Sequence, residues 1–169
     1  MESITRRCRI AAIIALAALL PNFQLLKTSP AGLALITNLE GCSLTPYQCS
    51  AGVWTSGIGH TAGVRPQQNV TEHEVAVNLI GDVLSVERQL AICVPIKMPQ
   101  PVFDALVSFT FNVGGGAACR STLVFFIKHQ QWLQACDQLT RWVFIDGVRN
   151  QGLENRRIRE RARCLEGVK

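Results

Sequence analysis

A short apolar segment that ends in one acid, followed by a glycine-rich segment, is the feature that most constrains the fold of this chain. Residues 30–40 read as a helix, with Pro30 in the first turn and Thr28 or Ser29 as N-cap. Gly41 follows the last residue and is a typical helix stop. Residues 52–61 then alternate β-forming side chains with glycine, which predicts a small twisted hairpin. A helix followed by a hairpin indicates an α+β chain.

Glu40 stands out because it is the only carboxylate between Glu2 and Glu72. Counted from Leu33, Ile36 and Glu40 occupy positions i+3 and i+7, so the acid lies on the helix stripe that faces the core. Burial and the negative end of the helix dipole both favour the uncharged carboxyl. An uncharged carboxyl is what a general acid needs at neutral pH. The alternative is a side chain that turns outward to solvent.

The spacing after Glu40 carries a family resemblance. Eight residues separate Glu40 from Cys49, and five more separate Cys49 from Thr55. With the glycine-rich segment, this pattern resembles the tailed-phage lysozymes of glycoside hydrolase family 24, whose pattern is Glu, eight residues, Asp or Cys, five residues, Thr. The resemblance covers about residues 33–165 and extends to five further segments: residues 71–74, 105–114, 121–122, 141–142 and 152–157.

The resemblance implies a fold and an activity. The fold would be α+β and mostly helical, with a small β-hairpin lobe, a long connecting helix and a larger helical lobe. The activity would be that of a muramidase, which hydrolyses the β-1,4 bond between N-acetylmuramic acid and N-acetylglucosamine in peptidoglycan. Glu40 would be the general acid, Cys49 a thiolate acting on the attacking water or on the sugar, and Thr55 a residue that positions the water.

Cys49 departs from the family's more usual Asp. A thiol is largely protonated at neutral pH, so it supplies an anion only where its surroundings favour the thiolate. We expect the Glu40 carboxyl and the Cys49 sulfur to lie roughly 5 to 10 Å apart, the span needed across a glycosidic bond. Two other functions stay open at this point. One is a non-catalytic wall-binding or membrane-tethered module, and the other is a lytic transglycosylase, which needs an acid but no water-activating base.

The N-terminal residues indicate export. Three arginines, at positions 6, 7 and 9, precede an apolar run at residues 10–20, as in a secretory signal. Counted through Leu26, the run approaches the ~20 residues that span a bilayer. We therefore predict a segment 1–27 and a catalytic domain 28–169, with residues 8–26 forming a weak transmembrane helix in the host inner membrane. An ordinary cleaved signal peptide is the alternative.

This N-terminus resembles that of the signal-anchor-release endolysins. The resemblance implies export by the host secretion machinery and tethering at the periplasmic face of the inner membrane. Release into the periplasm would follow. Peptidoglycan would be the substrate, and we expect a monomer.

Seven cysteines in an exported chain imply disulfides, and the odd number leaves at least one thiol. Cys8 lies at the start of the anchor, so the membrane would keep it apart from Cys42 while the chain is tethered. Cys42 and Cys49 can then pair with each other. After release, Cys8 can attack Cys42 and free Cys49 by thiol–disulfide exchange. The Cys-containing branch of the endolysins, which this spacing resembles, uses such an exchange. A fixed staple at Cys42 is the alternative.

The remaining cysteines are expected to be structural staples, and sequence leaves their three possible pairings open: Cys93, Cys119, Cys136 and Cys164. The three histidines show no paired ligand pattern, so we expect neither a metal nor a cofactor. His60 is expected to pair with Asp82 as a structural link. Candidate substrate contacts are Tyr47, for stacking on a sugar, and three polar residues: Asn112, Arg141 and Arg156.

The net charge of +5 is concentrated at the two ends of the chain. Near the C-terminus the basic residues alternate with acids at helical spacing, which favours a solvated helix over nucleic-acid binding. We expect no nucleic-acid partner, although such a face would attract an anionic wall polymer. The apolar pattern predicts helices at residues 71–92, 102–111, 121–129, 132–142 and 153–165.

Overall fold

The computed structural model describes residues 7–49 and 52–168. The chain divides into two compact units. The first contains the residues up to Leu26 together with Ile36–Leu84, and the second contains Lys27–Leu35 and the residues from Ser85 onward. In the described residues the elements are α1 (Ile10–Ala18), α2 (Pro30–Glu40), β1 (Ser43–Gln48), β2 (Trp54–Gly57), α3 (Glu72–Cys93), α4 (Gln100–Val113), α5 (Gly115–Cys119), α6 (Thr122–Lys128), α7 (Trp132–Gln138), β3 (Phe144–Ile145), β4 (Val148–Arg149) and α8 (Gln151–Leu165). The predicted α+β, mostly helical class is confirmed.

The N-terminal segment differs from the single helix predicted for residues 8–26. It forms the short helix α1 and then a 3-10 helix at Pro21–Leu25. Pro21 cannot donate the backbone hydrogen bond that would continue α1, so the helix ends before it. Ile13 and Ala17, one turn apart, are fully buried, whereas Leu19 is 82% exposed. Among the residues that the structure describes, no helix has both the length and the apolar character to cross a membrane.

Helix α2 has the predicted bounds and the predicted caps. The Ser29 hydroxyl accepts a hydrogen bond from the Gly32 backbone N–H at 3.2 Å, so Ser29 is the N-cap. Gly41 follows the helix with a φ of 70°, the left-handed conformation that glycine adopts readily. Leu33 and Ile36 are buried, as the stripe predicts. Glu40 is therefore held at the end of an anchored helix.

The residues just before α2 are clamped by two buried carboxylates of the second unit. Glu87 accepts hydrogen bonds from the backbone N–H of Lys27 at 3.0 Å and from the N–H and hydroxyl of Thr28 at 2.7 and 2.6 Å. Asp104 accepts from the N–H and hydroxyl of Ser29 at 3.0 and 2.5 Å. Buried carboxylates are retained where donors surround them in this way. The junction between the N-terminal segment and α2 is thus fixed by hydrogen bonds.

The hairpin of the first unit pairs differently from the prediction. Strand β2 lies within residues 52–61, but its antiparallel partner is the upstream strand β1, with Tyr47 opposite Thr55 and Gln48 opposite Trp54. At the end of β2 the chain turns through Gly57 and Gly59, both at positive φ, and Ser56 makes only an isolated bridge with His60. That turn prevents residues 58–61 from forming the second strand.

Helix α3 begins with a capping box. The Glu74 carboxylate accepts from the N–H and hydroxyl of Thr71 at 2.7 and 2.8 Å, while the Glu74 N–H donates to that hydroxyl at 3.2 Å. The helix spans Glu72–Cys93, close to the predicted 71–92, and its stripe of Val75, Leu79 and Val83 is buried. The long helix of the prediction is confirmed.

In the second unit, α4 and α8 pack against each other around a charged cluster. Glu160 is fully buried and accepts from Arg156 Nε at 2.9 Å and from the Ser108 hydroxyl at 2.8 Å. It also accepts from Arg157, whose guanidinium lies over the Phe109 ring. The charge pattern of this C-terminal helix suggested that it is solvated. The structure shows instead that one of its faces carries a buried ion cluster.

Three elements of this unit were not predicted: helix α5 and strands β3 and β4. Helix α5 is short and glycine-rich, so it gave no periodic signal. Strands β3 and β4 form a two-residue hairpin around Asp146 and Gly147, both at positive φ. Asp-Gly is a strong signal for such a turn, and it was available in the sequence.

Candidate active site

Glu40 is the last residue of α2 and is half-buried. The chain reverses at Gly41 and enters β1, which leads to Cys49. Strand β2 then returns with Thr55. The helix end and the two strands of one hairpin thus supply the three residues that the sequence pattern singled out, and all three belong to the first unit.

Cys49 lies at the end of β1, where the hairpin turn begins. Its backbone N–H donates to the Val53 carbonyl at 3.0 Å, and its own carbonyl accepts from the Gly52 N–H at 2.8 Å. The Cys49 side chain is half-buried. These backbone hydrogen bonds fix the position from which its sulfur projects.

Thr55 faces the same turn from β2. Only 4% of Thr55 is exposed, and its hydroxyl donates to the Val53 carbonyl at 3.2 Å. Because the hydroxyl proton is used in this bond, the oxygen keeps its lone pairs to accept a hydrogen bond from a neighbour. The geometry suits a residue that orients a water molecule.

The pKa of Tyr47 is affected by both Glu40 and Cys49. Its pKa is raised above the ordinary value first by burial, and then by the negative charges of Glu40 and Cys49. A phenol responds to a charge only when that charge is close, since the interaction falls with distance and is screened by solvent. The raised pKa of Tyr47 therefore reports that Glu40 and Cys49 belong to one neighbourhood.

The structure contains three disulfides in its described residues. Cys8 is bonded to Cys42 within the first unit, with 5.5 Å between the Cα atoms. In the second unit Cys93 is bonded to Cys119 and Cys136 to Cys164, which selects one of the three pairings that the sequence left open. Cys49 lies outside all three and carries a thiol.

His60 and Asp82 lie together, with 2.7 Å between His60 Nδ1 and Asp82 Oδ2. The contact joins the turn after β2 to helix α3 inside the first unit. In the described residues, no group of three or more His, Cys, Asp or Glu side chains is arranged to hold a metal ion.

The polar residues proposed as substrate contacts have different surroundings. The prediction for Arg156 needs correction, because only 6% of this residue is exposed and its guanidinium donates to Glu160 and to the Ser108 carbonyl. These bonds make Arg156 a packing residue. Asn112 is exposed and accepts a hydrogen bond from Arg157, a buried arginine that sequence reasoning missed. The pair of adjacent arginines was visible in the sequence, but their burial was not.

Arg141 is exposed and borders a pocket of about 510 Å³ in the second unit. Arg120, Ser121, Gln138 and Trp142 also line this pocket. Two cations beside an indole and several hydrogen-bonding groups suit an anionic or sugar ligand. Substrate binding by Arg141 stays a prediction, and Arg120 joins it as a candidate that the sequence did not single out.

The phage lysozyme family model matches residues 37–160. The SAR-endolysin of Escherichia phage P1 is 36% identical over an alignment of 158 positions, which covers 84% of this chain and 83% of the relative.

Two solved structures of the P1 phage endolysin Lyz resemble this chain to different degrees. The active form superimposes with a TM-score of 0.85 at 33% identity and covers 96% of this chain and 97% of its own. The secreted inactive form gives a TM-score of 0.58 at 35% identity, covering 85% of this chain and 98% of its own. With nearly equal sequence identity, the present structure is thus more similar to the active form.

Proposed function

Because this chain belongs to the phage lysozyme family and is an endolysin, we propose that it hydrolyses the β-1,4 bond between N-acetylmuramic acid and N-acetylglucosamine in host peptidoglycan. The observation that carries the proposal is that Glu40 ends α2 directly before the hairpin whose two strands hold Cys49 and Thr55, within one compact unit. A pair of proton-transferring or nucleophilic groups across one groove is what glycoside hydrolysis requires.

Each of the three residues has one role. Glu40 gives its proton to the oxygen that bridges the two sugars, so that the leaving group departs as an alcohol. Cys49, as a thiolate, takes a proton from the attacking water or bonds to the anomeric carbon itself. Thr55 accepts a hydrogen bond from the water through the lone pairs of its hydroxyl, whose proton is held by the Val53 carbonyl.

We propose that thiol–disulfide exchange controls this activity. While residues 8–26 lie in the host inner membrane, Cys42 and Cys49 form a disulfide, and the bonded sulfur of Cys49 has no negative charge. After release, the Cys8 thiolate attacks the Cys42 sulfur, the Cys42–Cys49 bond breaks, and Cys49 leaves as a thiolate. One disulfide is lost and one is formed, so no oxidant or reductant is consumed. The Cys8–Cys42 bond and the Cys49 thiol of this structure correspond to the end point of that reaction.

The catalytic proposal is tested by clearing of permeabilised Gram-negative cells with purified protein. We expect wild type to clear the suspension and Glu40→Gln to lose the activity, because an amide cannot supply the proton. Asp146→Asn is the matched control, since it makes the same carboxyl-to-amide change in an exposed turn of the second unit. Equal clearing by Glu40→Gln and wild type would remove the assignment. Mass spectrometry of the products should show hydrated reducing ends, and anhydro ends would indicate a transglycosylase instead.

The switch is tested by two serine variants produced in the host. Cys8→Ser should stay locked in the Cys42–Cys49 form and fail to lyse, because no thiol can attack Cys42. Cys42→Ser should lyse early, because Cys49 then has no partner to mask it. Disulfide mapping of the membrane and periplasmic fractions identifies the bonded pairs. Unchanged lysis timing in Cys8→Ser would refute the exchange.

A further inference from the structure

The first unit contains a pocket of about 470 Å³ whose lining includes Gly41, the residue that follows Glu40 in the chain. One wall is formed by the N-terminal segment, through Arg7, Cys8 and Ile10, and the other by residues 41–43 and Tyr47. This volume lies in the range of small-ligand sites, roughly 300 to 1,000 Å³. No role assigned so far uses this pocket.

The N-terminal wall is held in place at several points. The Cys8–Cys42 disulfide joins the two walls covalently. The Arg9 backbone N–H donates to the Glu72 carboxylate at 3.1 Å, and Ile13 and Ala17 of α1 are buried. A ligand therefore meets a wall that is already ordered, which avoids the entropic cost of fixing a loose chain on binding.

The position of the pocket ties it to the glycan. Gly41 and Cys42 directly follow Glu40, and Tyr47 is close enough to Glu40 and Cys49 to respond to the charge of each. Tyr47 is 41% exposed, so part of its ring is available to a sugar face. A glycan strand placed for cleavage at Glu40 thus has this pocket as its neighbour.

The charge of the pocket indicates which part of the substrate it takes. Arg7 is exposed, and none of the described residues that line the pocket carries a carboxylate. An arginine fork suits a planar carboxylate. In peptidoglycan the carboxylates belong to the stem peptide and, where no stem peptide is attached, to the lactyl group of muramic acid, whereas N-acetylglucosamine has none.

We propose that the N-terminal segment, once bonded through Cys8–Cys42, completes a substrate subsite in which Arg7 binds a carboxylate of the muramic acid unit or of its stem peptide. This inference rests on the proposed function, because it assumes that the glycan is cleaved at Glu40. The segment is then part of the mature substrate site as well as a tether. Arg7 would favour muramic acid units over uncharged sugars at this position.

The test is steady-state hydrolysis of soluble, uncrosslinked glycan strands by the purified full-length protein. Arg7→Ala should raise KM about fivefold with kcat little changed, because an exposed ion pair contributes modestly to binding and equally before and during the reaction. Arg7→Lys should recover most of the loss. Added salt should raise KM more for wild type than for Arg7→Ala, since screening weakens a contact that the variant lacks.

Arg9→Ala is the matched control, because it removes the same charge two residues away while its anchoring N–H belongs to the backbone. Removing the stem peptides with an amidase identifies the carboxylate. The amidase also frees the lactyl carboxylate, which is an amide while the stem peptide is attached. A KM effect of Arg7→Ala that disappears on the stripped strands indicates a stem-peptide carboxylate, and one that is retained or grows there indicates that Arg7 binds the freed lactyl carboxylate. Equal KM values for Arg7→Ala, Arg9→Ala and wild type on both intact and stripped strands would overturn the subsite. Inactivity of the wild type would instead refute the proposed function.

Discussion

Replacing Glu160 with Gln tests whether the buried ion cluster of the second unit holds α8 to α4. The substitution keeps the size of the side chain but removes the negative charge that faces Arg156 and Arg157. Glu160 is fully buried and Arg157 is 1% exposed, so water cannot replace the lost partner.

The magnitude follows from that burial. Removing one partner of a buried ion pair leaves an uncompensated charge and costs about 3 to 5 kcal/mol. The Ser108 hydroxyl also donates to this carboxylate, at 2.8 Å, and would have to donate to an amide oxygen instead. For a chain of this size, about 3 to 5 kcal/mol corresponds to a fall in Tm of about 6 to 20 °C.

The assay is urea unfolding followed by circular dichroism, with the disulfides intact. Glu154→Gln provides the matched control, since it lies on the same helix and also pairs with an arginine, Arg149, that is 62% exposed. We expect no resolvable change in that variant, because solvent screens an exposed pair. If Glu160→Gln unfolds at the same urea concentration as Glu154→Gln, burial does not set the strength of the cluster, and the reasoning fails.

Three further predictions concern the Cys49 thiol, the junction before α2, and helix α3. Cys49→Ser should lower kcat about a thousandfold, because a hydroxyl ionises far less readily than a thiol. Cys49→Asp should retain activity. Clearing assays with the two purified variants and wild type measure both effects. Glu87→Gln should lower the free energy of unfolding by about 2 kcal/mol, because the amide NH₂ is a donor and cannot accept the hydrogen bonds that Thr28 donates to the carboxylate. A urea midpoint equal to that of wild type would contradict this. The pKa of Glu74 is lowered first by the backbone hydrogen bond from Thr71. The stability that this carboxylate contributes is therefore present above its ordinary pKa and lost as pH falls through the lowered value. Thermal melts should show less acid destabilisation in Glu74→Gln than in wild type.

Local signals in the sequence were sufficient for much of the fold. Pro30 and Gly41 bounded α2 because caps act over a few residues. The stripe of Val75, Leu79 and Val83 identified α3 because a surface helix must bury one face. The acid at the end of α2 was found for a related reason, since it occupied an apolar position.

Properties that depend on distant parts of the chain could not be predicted in the same way. The partner of β2 was misplaced because alternation identifies a strand but not its neighbour. Arg156 was assigned to substrate because a planar guanidinium suits a carboxylate. Its burial was not foreseen, since charge spacing along a helix does not show which face is covered by α4. The pairing of Cys93 with Cys119 required coordinates, since sequence spacing allows three combinations.

The N-terminal segment is the least predictable part, because an apolar run suits both a bilayer and a protein surface. Its pattern gave one helix of lipid-spanning length, whereas the structure has a short helix with two buried residues. The apolar composition predicts that these side chains are removed from water. It does not predict whether they are buried in a bilayer or against the protein.

The exposed leucines of this segment have a consequence for the timing of lysis. Leu19 and Leu25 are 82% and 64% exposed, so they contribute little to the folded protein, yet each adds to the affinity of the segment for a bilayer. Under the proposed release from the membrane, these side chains set the residence time in lipid, while Ile13 and Ala17 set the docking that follows. Under that proposal, substitutions at these two positions would change the time of lysis while leaving the folded protein almost unaffected.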